Sequence, residues 1–118
     1  MNDLAKRLVA CKGWRWMPGM LAIVPRMTVG VRLSTGDELD EALVPLPDLT
    51  DPATLGCVLQ LVRDAWGDHT IVVDNDLMKG HERHDCGAHP WWVAVTSLHH
   101  YAGHSEVEAL VCALEAAP

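Results

Sequence analysis

The segment PDLTDPATLGCVLQLVRDAWGD, residues 47–68, decides the fold. Asp51 is a helix-cap residue, Pro52 suits the first helical position, and Gly67 sits where a helix ends in a left-handed turn. Between them Leu55, Val58, Leu59, Val62 and Trp66 recur at helical spacing, flanked by Leu61 and Ala65. Thr54, Gln60, Arg63 and Asp64 form the expected wet side. The broad apolar face predicts a helix lying deep against a sheet.

Working outward, the stretches 20–24 (MLAIV) and 27–33 (MTVGVRL) read as two strands paired across Pro25 and Arg26. STGDELDE is a polar loop, and ALVPLP is expected to be extended because proline restricts its neighbours. HTIVVDN (69–75) and PWWVAVTSL (90–98) read as two further strands. Asn2 or Asp3 caps a short first helix that Gly13 would end. Ser105 and Glu108 form a capping box for a last helix with Val107, Leu110, Val111 and Leu114 as its core stripe. The order α-β-β-α-β-β-α predicts an α+β domain: one antiparallel sheet of about four strands with two or three helices packed on it.

A chain of 118 residues is one domain by length, and 49% apolar with 21% charged residues is the balance of a globular protein. No apolar run approaches the roughly 18 residues that span a bilayer, and the N-terminus has no sustained apolar core of a signal peptide. The expectation is a cytoplasmic protein without membrane partners. Cys11, Cys57, Cys86 and Cys112 show no paired spacing and are expected as reduced thiols. The net charge of −7 is unevenly spread. Residues 1–32 hold Lys6, Arg7, Lys12, Arg15, Arg26 and Arg32 against Asp3, so the two parts carry +5 and −12. The acidic remainder repels nucleic acid. The basic third either meets an anionic partner or packs beside acidic segments of its own chain.

LAKRLVACKGWRWMPGM, LPDLTDPATLGCVLQLVRDAWGD and SEVEALVCALEAAP resemble segments of a group of small uncharacterised phage and prophage proteins. The resemblance covers about half of the chain: its first 20 residues, 46–68 and 105–118. It implies phage or prophage origin and a shared scaffold, and it carries over no catalytic residue. Proteins of this look vary most between the long helix and the last strand.

That variable stretch holds HERHDCGAHP, with His81, His84, Cys86 and His89 inside nine positions. Imidazole and thiolate suit zinc, but standard tetrahedral sites separate two short ligand pairs by about a dozen residues so that the chain wraps the ion. Two or three of these residues joined by His99, His100 or His104 would make an easier set, with Glu82 or Asp85 as a possible base in an open site. The other reading is a solvent-exposed loop whose histidines titrate near pH 6.5.

WRWMPGM, residues 14–20, alternates Trp14 and Trp16 about Arg15. Exposed Trp, Met and Arg together make a binding hot spot. With no Phe and one Tyr in the chain, the same tryptophans are also the main aromatic supply of the core. In Trp91-Trp92, adjacent strand residues face opposite sides. One of the two therefore faces solvent, a covering helix or a partner, and if only one sheet face is covered it is an exposed anchor for a partner or a second copy of the chain. DELDE, 37–41, is either a solvated loop or a mimic of phosphate spacing. Nothing resembles a phosphate loop, nucleotide fingerprint or nucleophile elbow, and an enzyme is not indicated. The expectation is a non-enzymatic accessory protein that binds a macromolecular partner through Trp14, Arg15, Trp16 and Trp91 or Trp92. A host or defence protein, such as a component of CRISPR immunity, is the expected partner class. The alternatives are a zinc-binding protein and a nucleic-acid-binding module.

Overall fold

The local signals around the long helix operate as the sequence implies. A computed structural model describes residues 2–24, 29–74, 92–95 and 100–118. Helix α2 spans Pro52–Trp66. The Asp51 carboxylate accepts from the Thr54 N–H at 3.0 Å, which satisfies an otherwise orphaned donor. At the other end Gly67 is left-handed (φ 63°), its N–H bonds the Asp64 carbonyl, and the Asp68 N–H bonds the Arg63 carbonyl. This pair of bonds is a Schellman cap.

Helices α1 (Asn2–Val9) and α3 (Glu106–Glu115) complete the described helical set. The Ser105 hydroxyl accepts from the Glu108 N–H at 3.1 Å, so the expected cap of α3 is in place. Gly13 is not the left-handed end of α1. Its role is close packing, since a Cβ there would lie 3.1 Å from Leu114 Cδ1 and 3.4 Å from Ala65 Cβ.

The α+β class and antiparallel pairing stand, but the described strands divide into two three-stranded sheets in place of one sheet of about four strands. In the first, β1 (Leu21–Val24) lies between β2 (Val29–Arg32) and β3 (Leu46–Pro47). In the second, β5 (Trp92–Val95) lies between β4 (Val72–Asp74) and β6 (His100–Gly103). Strand β6 was hidden because HYAG has no apolar alternation. It is held by its ladder to β5 and by the close approach of Gly103 to α3. The stretch ALVPLP is extended only at its end. Glu41–Leu43 forms a 3-10 turn, and Val44 is left-handed.

Helix α3, not α2, is the centre. Val107, Ala109, Leu110, Val111, Ala113 and Leu114 are buried, six of its ten residues. It packs on the β4–β5–β6 sheet on one side and against α1 and α2 on others, while α1 reaches β3 of the first sheet. One core runs through all of these, with Leu8, Met20, Leu61, Ile71 and Leu110 fully buried. Trp66 joins two helices: its indole N–H donates to the Ala113 carbonyl at 2.9 Å, and its ring lies 5.8 Å from that of Tyr101.

Thr54 corrects the expected wet face of α2, because it is fully buried. Its hydroxyl donates to Asp51 at 2.8 Å and accepts from the Leu21 N–H at 2.9 Å. The Arg32 guanidinium donates to both Asp51 oxygens, at 2.5 and 3.0 Å, and holds that carboxyl well below the usual carboxylate range. This chain of bonds ties the start of β1 to the start of α2. Thr54→Val keeps the shape and removes the hydroxyl, leaving the Leu21 N–H without its acceptor. The expected cost is about 1–3 kcal/mol in denaturant unfolding, with Thr54→Ser losing less.

Candidate functional site

The 14–17 stretch follows α1 as irregular backbone on which side chains two apart can share a side. Trp14 and Trp16 accordingly meet edge to face, centroids 5.1 Å apart with planes at 79°. Both are half-buried and packed against the core, so the rings anchor the segment as the core reading expects, and each keeps an exposed portion. Arg15, between them, reaches back to α2 and donates to Asp64 at 2.8 Å. Pro18-Gly19 then turns the chain into β1, with Gly19 left-handed.

Facing this segment is the loop 34–45. The Glu38 carboxylate accepts the N–H groups of Ser34, Thr35 and Gly36 at 2.6–2.9 Å, along with the Thr35 hydroxyl. Those backbone bonds pull its pKa down to about 2. Asp40 caps the 3-10 turn by accepting from the Ala42 N–H at 2.9 Å. Gly36 is left-handed (φ 94°), and a Cβ there would meet the Trp16 carbonyl oxygen at 2.7 Å. The loop therefore lies flush on the tryptophan backbone.

Glu38 also gives the loop an acid sensitivity of definite sign. A lowered folded-state pKa means that its contribution is complete above the ordinary value of 4.5 and is lost as pH falls toward about 2. In Glu38→Gln the melting temperature should vary less with pH across that window than in the wild type. Parallel profiles would show that the carboxylate contributes nothing to stability.

Val44 is the outlier of the loop. The residue before a proline is normally extended, yet Val44 has φ 50° and ψ 57°, a conformation rare for a β-branched side chain. It is 69% exposed, and Leu43 beside it is 42% exposed. Together, the loop and the WRW segment border a cleft of about 540 Å³. Its lining includes Val9 of α1, Trp14, Arg15 and Trp16 on one side and Asp37, Glu41, Val44 and Pro45 on the other. The sequence pointed to the tryptophan side. On the opposite wall it marked Asp37 and Glu41 within DELDE, but Val44 and Pro45 escaped it, because ALVPLP reads as an extended strand and not as a strained, exposed corner.

The remaining candidates separate from this cleft. His81, His84, Cys86, His89 and Trp91 lie outside the described residues, as does His99. Trp92 opens β5 opposite Gly103 of β6, which begins at His100 and is followed by the exposed His104. Among the described residues no three His, Cys, Asp or Glu side chains are grouped to hold a metal ion. Cys11, Cys57 and Cys112 are free and half-buried, and burial raises the thiol pKa of Cys11 and Cys57. Of the basic N-terminal third, Arg7 pairs with Glu115, Arg15 with Asp64 and Arg32 with Asp51. Among the described residues, the chain's own acids thus pair with three of those basic side chains. No described helix is long and apolar enough to cross a membrane. No known family, curated protein or solved structure matches the chain.

Proposed function

We propose that this chain is a small phage- or prophage-type accessory protein that works by binding a protein partner, with the cleft between the WRW segment and the 36–45 loop as the contact surface. The observation that carries this reading is Val44, a β-branched residue held left-handed and 69% exposed beside the Trp14–Trp16 pair. Strained, exposed apolar residues cluster at ligand-contacting sites, where the surrounding structure over-determines them. Tryptophan at the centre of such a surface supplies large contact area at low entropic cost. The pairing of Arg7, Arg15 and Arg32 with internal acids argues against a nucleic-acid surface on the basic third. The phage resemblance of the WRW segment and of the two long helices favours a host protein as partner, defence components such as CRISPR effectors included, met in the host cytoplasm.

Val44→Asn separates binding from folding. Asparagine tolerates the left-handed region, and little burial is lost at so exposed a position. Stability should stay level or rise by up to about 1 kcal/mol. Capture of the partner held by the wild type should weaken by about five- to ten-fold. Equal capture by a folded Val44→Asn protein would overturn the assignment of this surface.

A further inference from the structure

Resting on the reading of the cleft as a partner surface, the geometry points to its occupant: we infer that it receives an arginine side chain presented by an extended segment of a partner protein. Four acids of the facing loop divide the labour. In the stretch 37–41, Glu38 is consumed by the N–H groups of Ser34, Thr35 and Gly36, and Asp40 by the Ala42 N–H. Asp37 and Glu41 are left, and among the described residues neither carboxylate has a hydrogen-bond or ion-pair partner. These same two line the cleft.

The cleft's own cation does not neutralise them, because the Arg15 guanidinium is bound to Asp64 at 2.8 Å. The concave surface thus combines two indole rings at 79° with two uncompensated negative charges. Aromatic faces and carboxylates both attract cations, and a concave wall of low dielectric concentrates that attraction. Val9 and Val44 add apolar lining, which suits a long aliphatic stem carrying the charge. A planar guanidinium stacks on an indole and donates in several directions at once, so it serves two separate carboxylates better than an ammonium does. The volume of about 540 Å³ is far more than a lone organic cation fills and accommodates the backbone on either side of the arginine.

The test titrates isotopically labelled protein with capped pentapeptides of alanine carrying arginine, lysine, citrulline or norleucine at the centre. The readout is the indole N–H resonances of Trp14 and Trp16, assigned with Trp14→Phe and Trp16→Phe. The arginine peptide should shift both resonances saturably, with affinity about ten-fold or more above that of the isosteric, uncharged citrulline peptide. Lysine should fall between them. The double variant Asp37→Asn/Glu41→Gln should bind the arginine peptide no better than citrulline, with an unchanged melting temperature. Equal affinity for arginine and citrulline, or an undiminished double variant, would overturn the arginine assignment while leaving the cleft a protein-binding surface. Absence of any shift with the arginine peptide also overturns it. The surface reading itself is tested separately, and falls if Val44→Asn leaves partner capture intact.

Discussion

Replacing Leu110 by alanine is expected to cost about 2–5 kcal/mol, lowering the melting temperature by roughly 8–20 °C. Leu110 is fully buried in α3, the helix that touches the β4–β5–β6 sheet, α1 and α2 together. Removing its branched end takes contacts from several neighbours that cannot all move inward, so the cavity persists. Against a typical total stability of about 5–15 kcal/mol, this is a large share. Leu43→Ala is the control, because Leu43 is 42% exposed and should change stability by less than about 0.5–1 kcal/mol. Similar losses for the two variants, measured by thermal or urea unfolding, would mean that α3 is not the centre of the core.

The second large effect concerns glycine. A Cβ at Gly103 would stand 2.7 Å from both the Ala109 nitrogen and the Glu108 Cβ, and 2.9 Å from the Glu108 carbonyl carbon. Two of these atoms are backbone in the first turns of α3 and cannot rotate away. Gly103→Ala must therefore push β6 off α3 or disturb the turn that Ser105 caps. The expected cost is about 1–3 kcal/mol or more. Gly56 offers the opposite case, since it sits inside α2 and a Cβ there meets nothing within 4 Å. Gly56→Ala should stabilise by about 0.5–1 kcal/mol, through helix propensity and a less flexible unfolded chain. Two identical substitutions with opposite signs make a sharp comparison in one unfolding experiment.

What the sequence makes legible follows from how local each cause is. The bounds of α2 are readable because Asp51, Pro52 and Gly67 act within a few residues of the helix ends. Ser105 does the same for α3. Thr54 misleads because a hydroxyl on a helix reads as solvent-facing, whereas its acceptor and donor come from Asp51 and from Leu21, 33 positions away. The division into two sheets is equally non-local. Nothing near Leu46–Pro47 announces that it pairs with β1, or that β4 joins a different sheet.

The candidate site shows the same split. Trp14, Arg15 and Trp16 stand out by residue type and spacing alone. The function of DELDE does not, because which acids are consumed and which stay free depends on loop geometry. Glu38 and Asp40 serve the loop internally, while Asp37 and Glu41 face the cleft. The solvated-loop reading of DELDE holds for its four acids, all of which are exposed.

The claim that the cleft is the contact surface is tested most directly by site-specific photo-crosslinking in the cell that carries the gene. The photoreactive residue p-benzoylphenylalanine replaces Val44 at the cleft or, as a control, the exposed Ala53 in the first turn of α2. One predominant protein adduct is expected from position 44 and none from position 53, with loss of the adduct when excess wild-type protein competes. No adduct from position 44, or the same adducts from both positions, would contradict that claim.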